Sequence, residues 1–251
     1  MIAYKVRVRA RERLHPRLRA IAELVPVCTS MADIGTDHAL LPVSLLAAGR
    51  VERAIAADIG EGPLAHAART VARHEFEHVI RLRQANGLFA VDPGEVACVV
   101  IAGMGPQTIL AILKARPEVL EDLQTLVLQP NHGVEDVRRW VVANGWYLAD
   151  ERLVEDRGHF YAAMRCSRRP SGPEQPWSAE QWMFGPHNFA AGGPVLNRLL
   201  AHEQARALKV LRHLQGAGRV AECEAQQERI DWFARVGVEV ERRGSAIRSP
   251  A

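Results

Sequence analysis

Short apolar runs alternate with longer segments of helical periodicity between about residues 30 and 165. Runs such as ACVVIAG and TLVLQP are rich in aliphatic residues, as expected for strands that are buried on both faces. Intervening segments such as GPLAHAARTVARH repeat apolar residues three and four positions apart. This alternation predicts a parallel sheet covered by helices on both faces. The predicted strands are 31–35, 53–58, 80–84, 97–103 and 125–130.

Two more strands follow this alternating region. The segments WYLADERLVEDR and HFYAAMRCS are separated by Gly158, which predicts an antiparallel pair joined by a tight turn. Together the segments predict an α/β fold with a seven-stranded, Rossmann-like sheet.

A change of composition marks the end of this region. Residues 168–194 are rich in Pro and Gly, which predicts a connection and a domain boundary near residue 169, with domains at 1–169 and 170–251. Beyond it, two amphipathic segments flank Gly216-Ala217-Gly218 and predict an antiparallel helical hairpin. The hairpin is either an arm that grips a large substrate or a pair of helices that only packs on the main domain.

The composition is that of a folded globular protein. Of 251 residues, 48% are hydrophobic and 24% are charged, which excludes a disordered or fibrous chain. The longest apolar runs are too short to cross a membrane, and the N-terminus lacks the apolar core of a signal peptide. We therefore expect a soluble, cytoplasmic protein, which we take to be a monomer.

The four cysteines are isolated in the sequence, with no CxxC pair and no His partner at ligand spacing. We expect neither disulfides nor a metal site.

Basic residues alternate along the N-terminus, although the net charge is only +3. Such a run can contact the phosphates of a polyanion, or it can be a solvated edge or a frayed tail. The candidate residues for binding such a polyanion are Arg7, Arg9, Arg11, Arg13 and Arg17.

Ligands of such folds bind at the carboxyl ends of the strands, so the residues that follow each strand carry the chemistry. The first predicted strand contains Asp33 and Gly35 at its end, and Asp37 and His38 follow it. A dinucleotide-binding loop would have three glycines here, whereas an acidic turn repels phosphates. A cationic or zwitterionic cofactor therefore fits better than a dinucleotide, which disfavours a dehydrogenase.

The second and third strand ends are consistent with a nucleoside. Asp58 lies 25 positions after Asp33 and can accept hydrogen bonds from ribose hydroxyls, although such an acid is also a common helix cap. Asn86-Gly87-Leu88 could bind an adenine edge or could be an ordinary turn.

The fourth and fifth strand ends complete the set. Gly103-Met104-Gly105 leaves room beside the sheet, and Met104 could pack against a base or against the core. Asn131 after the fifth strand is either a polar group of the site or part of a turn and helix cap.

In colinear order, the runs ADIGTDHALLP, AIAADIGEGPLAHA, ANGL, VVIAGMG, LVLQPN and VRRWVVANGW resemble the bacterial tRNA (adenine-22-N1)-methyltransferases. The resemblance covers about residues 13–165 and implies a class I methyltransferase domain that uses S-adenosylmethionine, with a C-terminal coiled-coil hairpin. Two positions depart from the family: Asn86 stands where Asp is usual, and Pro106 where a second Gly is usual.

The resemblance also implies roles for the strand-end residues. It assigns Asp33, Gly35 and His38 to the methionine part of the cofactor, and Gly103 and Met104 to the border of the methyl group. The remaining cofactor-binding residues that it implies are Asp58, Ile59, Asn86, Gly87 and Leu88.

The reaction requires little covalent chemistry from the protein, because the ring nitrogen of adenine offers its own lone pair. Positioning and stabilisation of a cationic base then matter most. The candidate catalytic residues are Asn131, Asp37 and Met104. A different substrate and a non-catalytic RNA-binding role are the alternatives.

Overall fold

The computed structural model describes residues 14–168 and 176–246, with side chains to residue 243. Its centre is a seven-stranded sheet with strand order β3-β2-β1-β4-β5-β7-β6, which confirms the predicted fold class. The strands are β1 (Cys28–Ile34), β2 (Val51–Asp58), β3 (Ile80–Gln84), β4 (Cys98–Met104), β5 (Thr125–Pro130), β6 (Trp146–Asp156) and β7 (His159–Arg168).

Helices connect the strands and cover both faces of the sheet. A single-turn 3-10 helix, Gly87–Ala90, follows β3. The α-helices of this part are α1 (Pro16–Leu24), α2 (Leu40–Ala47), α3 (Glu61–Arg73), α4 (Pro106–Ala115), α5 (Pro117–Glu121) and α6 (Val134–Ala143).

The first five strands are parallel and deeply buried. All six residues of β5 are buried, as are the first four residues of β4. The continuous apolar runs in the sequence reflect this burial on both faces. The register places Asp58 beside Gln84 and Met104 beside Pro130, so the carboxyl ends of neighbouring strands lie at one edge of the sheet.

The last two strands form the predicted antiparallel hairpin. Arg157 and Gly158 connect them with φ values of 52° and 78°, and a positive φ at both residues is typical of a two-residue type I′ turn. A buried ion pair fixes β6 to α6: Arg138 Nε lies 2.9 Å from Glu151 Oε1, and neither side chain is exposed. Arg138 is therefore part of the interior.

Four short helices were not among the sequence predictions. They are α1 and α5 above, together with α7 (Ala179–Phe184) and α8 (Pro186–Ala191) in the Pro/Gly-rich connection. Helices of five to nine residues are too short for an apolar period to repeat. A Ser178–Gln181 capping box begins α7, and Pro186 stands at the first position of α8.

The C-terminal unit contains the predicted helical pair, α9 (Pro194–Gly216) and α10 (Val220–Ala246). The pair is antiparallel, and Gln226 Nε2 donates across it to the Ala207 carbonyl at 2.9 Å. Trp232 of α10 donates to Glu180 of α7 at 2.9 Å, so the short helices pack on the hairpin.

Contacts divide the chain into two compact units, residues 1–173 and 174–251. The finer domain assignment, 1–169 and 170–251, stays a prediction, because its boundary falls at residues 169–175, outside the described residues. None of the described helices is both long enough and apolar enough to span a bilayer. Two of the cysteines, Cys98 and Cys166, are buried, and burial raises the pKa of both thiols.

Candidate active site

The residues after the parallel strands form two groups. We call the ends of β1, β2 and β3 the β1–β3 side, and the ends of β4 and β5, together with Arg17, the β4–β5 side. The predicted site residues on the described part of the chain all lie on one of these two sides. The predicted RNA-binding residues Arg7, Arg9, Arg11 and Arg13 lie outside the described residues.

Asp33 is the buried acid of the β1–β3 side. Its side chain accepts a hydrogen bond from Thr36 Oγ1 at 2.7 Å, and only 6% of its surface is exposed. Burial is the main reason that the pKa of Asp33 is raised to about 6; the Thr36 hydroxyl opposes this rise, and the nearby charge of Asp58 adds to it. A cation close to this carboxylate would stabilise its charged form.

The turn after β1 approaches the end of β4 closely. Gly35 has φ +77°, and a Cβ added there would lie 2.2 Å from Met104 Cε. The N–H groups of Gly35 and Thr36 both donate to the Ala57 carbonyl, at 2.8 and 3.0 Å, which ties the turn to β2. Only glycine fits this turn without moving the Met104 side chain.

Farther along this turn, Asp37 and His38 are exposed, Ala39 is buried, and the backbone is partly left-handed. Asp37 and Ala39 have φ values of 51° and 54°, which are uncommon for residues with side chains. The His38 ring stacks on His66 of α3, with centroids 4.8 Å apart and planes within 1°. The ligand atoms of Asp37, His38 and His66 lie within 4.8 Å of one another, a composition that could hold a metal ion.

His66 is a residue of the site that sequence reasoning missed. It lies inside a helical segment, and the sequence carries no sign that this position faces the turn after β1.

Asp58 combines a local contact with free acceptor capacity. Its Oδ1 accepts from Gly60 N–H at 2.9 Å, which orders the start of α3. Asp58 therefore acts in part as a cap of α3, which was the alternative to a role in ribose binding. Its carboxylate still offers further lone pairs to a ligand. Ile59 beside it is 66% exposed, and its carbonyl accepts from Gln84 Nε2 at 3.3 Å.

The loop after β3 presents backbone more than side chains. Asn86 is exposed, and its carbonyl accepts from Phe89 N–H at 3.2 Å. Gly87 is buried and Leu88 is fully buried, so the Leu88 side chain belongs to the core. A ligand at this loop would meet the Asn86 amide and the backbone of the next two residues.

On the β4–β5 side, Asn131 connects the two strand ends. Its Nδ2 donates to the Gly103 carbonyl at 2.7 Å, and its backbone N–H donates to the Met104 carbonyl at 2.8 Å. Asn131 is exposed and Met104 is half-buried. The structure therefore brings Asn131, Met104 and Gly103 together, whereas no described contact joins Asp37 to Asn131.

Pro106 is well accommodated. It occupies the first position of α4, where its missing N–H would have no helical partner. A Cβ added at Gly133 would lie 2.7 Å from Pro106 Cγ, so the proline ring packs closely on the loop after β5.

Arg17 completes the β4–β5 side. Its Nη1 lies 3.1 Å from Asn131 Oδ1 and 3.4 Å from Gln129 Oε1, and its Cζ lies 5.2 Å from the centre of the Tyr161 ring. The structure thus brings this predicted RNA-binding residue to the strand ends.

A separate cavity lies at the amino end of the sheet, away from both sides. Its volume is about 320 Å³, and Trp140, Trp146 and Arg168 are among its lining residues. None of the predicted site residues lines it.

The strand order and the polar residues at the carboxyl ends define a Rossmann-like methyltransferase fold. A family model described as a methyltransferase domain matches residues 14–164, more than half of the chain. The chain therefore belongs to this family, and the relatives and solved structures below confirm its resemblance to the tRNA (adenine-22-N1)-methyltransferases.

Relatives and solved structures give the detail. The chain is 36% identical over 152 residues to the tRNA (adenine(22)-N(1))-methyltransferase of Bacillus subtilis, covering 61% of this chain and 64% of that protein. The chain thus spans slightly less than two thirds of that relative's length. It is 31% identical over 175 residues to a putative tRNA methyltransferase of Mycoplasma pneumoniae, covering 68% of this chain and 79% of that protein.

Among solved structures, Streptococcus pneumoniae Sp1610 is described as a putative tRNA (m1A22) methyltransferase in complex with S-adenosyl-L-methionine. It is similar with a TM-score of 0.80 and 29% identity, covering 90% of this chain and 100% of that chain.

Proposed function

We propose that this chain transfers the methyl group of S-adenosylmethionine to N1 of adenine 22 in tRNA. The observation that carries the proposal is the pair of site sides: the acids Asp33 and Asp58 lie at the ends of β1 and β2, and Asn131 is held on the Gly103 carbonyl at the end of β4. Family membership supports the same reaction.

The described residues fit this cofactor. Gly35 and Gly103 add no side chains of their own at the strand ends, and the side chains that lie next to them are those of Met104 and Arg17. Asp33, Gly35 and His38 would hold the methionine part, Asp58 and Ile59 the ribose and adenine, and Asn86, Gly87 and Leu88 the adenine edge. When bound, S-adenosylmethionine supplies a methyl group on a positively charged sulfur.

The protein residues position the base and stabilise its charge. Adenine N1 has its own lone pair, so the attack needs no general base. Positive charge passes to the base, and the Asn131 carbonyl oxygen and the Asp37 carboxylate favour such a cation. Half-buried Met104 provides an apolar surface for a base that has left its stack.

Binding of tRNA involves the basic N-terminal residues and the C-terminal hairpin. We assign phosphate contacts to Arg7, Arg9, Arg11, Arg13 and Arg17, which makes affinity salt-sensitive. The protein acts as a monomer in the cytoplasm and uses no metal ion. Deletion of residues 190–243 should weaken tRNA binding and leave cofactor affinity unchanged, and equal loss of both would assign the hairpin a structural role.

The decisive experiment uses the full chain with tritium-labelled S-adenosylmethionine and unmodified tRNA transcripts. A matched transcript with guanine at position 22 is the control. We expect label in the first transcript alone and a reverse-transcription stop at adenine 22. Label without a stop at this position would redirect the proposal to another RNA position, and cofactor binding without any label would contradict it.

A further inference from the structure

Asn131 is held in one orientation by groups at both ends of its carboxamide. Nδ2 donates to the Gly103 carbonyl at 2.7 Å, and Oδ1 accepts from Arg17 Nη1 at 3.1 Å. In the reversed orientation Nδ2 would face the guanidinium donors and Oδ1 would face a carbonyl oxygen. Both hydrogen bonds would be replaced by repulsion, so Arg17 and Gly103 select one of the two orientations.

Arg17 is itself fixed in place. Its backbone N–H lies 3.5 Å from Asp156 Oδ2, the same oxygen that His15 Nδ1 contacts at 2.9 Å. The guanidinium lies over the Tyr161 ring, with 5.2 Å between Cζ and the ring centre. Contacts with β6 and β7 thus hold the start of α1 and its arginine beside the end of β5.

The second acceptor of Arg17 is also immobile. Gln129 is fully buried, and its Nε2 donates to the Pro130 carbonyl at 2.7 Å, which directs Oε1 towards Arg17 at 3.4 Å. The guanidinium therefore contacts two neutral amide oxygens. Among the hydrogen bonds and ion pairs of the described residues, none joins it to a carboxylate. This arrangement orients the two amides.

We propose that Arg17 is a positioning residue for the methyl transfer: it orients Asn131 so that the second lone pair of Oδ1 faces the base. The inference rests on the proposed function and adds a role that phosphate binding does not supply. A misplacement of about 1 Å in a catalytic group can lower turnover about 100-fold, so loss of this contact should be visible in kinetics.

The kinetic test compares Arg17→Met with Arg19→Met in the full chain. Arg19 is exposed on the same helix, so it is a matched control for charge and helix position. At saturating tRNA and cofactor, Arg17→Met should lower kcat about 10- to 100-fold, in addition to any rise in the KM for tRNA that the loss of a phosphate contact causes. Arg19→Met should keep wild-type kcat, and Arg17→Lys should recover part of the loss.

A double-mutant cycle shows whether Arg17 acts through Asn131. In the Asn131→Ala background, Arg17→Met should cause almost no further loss of kcat. Additive losses would overturn the proposal, as would an Arg17→Met variant that changes only the KM for tRNA. The second outcome would reduce Arg17 to a phosphate contact.

A measurement without tRNA separates this inference from the proposed function. The side-chain amide resonance of Asn131 in ¹⁵N-labelled protein is identified by its absence in Asn131→Ala. Arg17→Met should shift it and accelerate its exchange with water, while Arg19→Met should leave it unchanged. An unchanged resonance in Arg17→Met would overturn the inference, whereas a wild-type protein that methylates no tRNA would count against the proposed function alone.

Discussion

The two sides of the site are built in different ways. On the β1–β3 side, the two acids bond to residues two or three positions away, Asp33 to Thr36 and Asp58 to Gly60, although the turn after β1 is also tied to the Ala57 carbonyl. On the β4–β5 side, Asn131 contacts Gly103 over 28 positions and Arg17 over 114 positions. The acids of the first side are thus ordered by local turns on neighbouring strands, and the second side exists only when the sheet and α1 are assembled.

This difference suggests separate roles that mutations can test. Changes on the β1–β3 side should alter cofactor affinity and local conformation. Changes on the β4–β5 side should alter turnover and leave cofactor affinity intact. The predictions below run from the largest expected free-energy effect to the smallest.

Asp33→Asn should change the pH dependence of stability. The pKa of Asp33 is raised from 3.8 to about 6, so between these values the unfolded chain loses a proton that the folded protein keeps. Stability therefore falls as pH rises through this window, by about 3 kcal/mol in all. The variant should lack this decline in urea unfolding between about pH 4 and pH 7.

Asn131→Ala serves as the comparison in that experiment, because it removes no titratable group. Its free energy of unfolding should change with pH in parallel with the wild type. A wild-type protein without the decline would contradict the assignment to Asp33.

Asn131→Ala should lower kcat about 100-fold, or about 2.7 kcal/mol, because it removes a polar group that faces the cationic base. Cofactor affinity measured by calorimetry should remain unchanged. Asn144→Ala is the matched control, since its exposed amide also donates to a carbonyl, that of Trp140, at 2.7 Å. Equal losses of kcat and cofactor affinity in Asn131→Ala would mean that the two sides are not separable.

Asp58→Ala should weaken cofactor binding by about 1–3 kcal/mol, because ribose hydroxyls would lose their acceptor. Asp58→Asn retains an oxygen for the Gly60 N–H and should lose less. Calorimetry with S-adenosylmethionine distinguishes the two variants. Unchanged affinity in Asp58→Ala would refute the ribose assignment.

Gly35→Ala should lower the free energy of unfolding by about 1 kcal/mol, because alanine disfavours the left-handed backbone at this position. The loss should be larger if the Met104 side chain cannot move. Gly49→Ala is the control: Gly49 has φ +66°, but its added Cβ would have no atom within 4 Å. The Gly35→Ala variant should lose more free energy of unfolding than the Gly49→Ala variant, and this difference measures the contact with Met104. Equal values would show that the Met104 side chain moves aside freely.

The sheet could be predicted from the sequence because each strand is recognisable from a run of apolar residues that are consecutive in the chain. All seven predicted strands occur, and the hairpin turn falls at Gly158 as predicted. Short helices such as α5 and α7 were missed because five or six residues do not complete two helical turns. Their beginnings depend on caps and prolines instead.

The same contrast explains what could be predicted of the site. Asp33, Gly35 and Asp58 are recognisable because each lies at, or just after, the carboxyl end of a strand. The stacking of His66 on His38 and the contact of Arg17 with Asn131 depend on how helices pack, which no local pattern records. The assignment of Arg17 to RNA binding followed from its charge alone. It stays a prediction, whereas the contact of Arg17 with Asn131 is seen in the structure.

The contact between Arg17 and Tyr161 has a consequence for the order in which the site forms during translation. A ribosome releases the β1–β3 residues early, and their turns can close while the rest of the chain is still being made. Arg17 emerges earlier still, but the ring and the carboxylate that hold α1 come from Tyr161 and Asp156. The helix that carries Arg17 must therefore wait for strands that are synthesised much later, so this part of the site becomes competent after the turns that emerge between them.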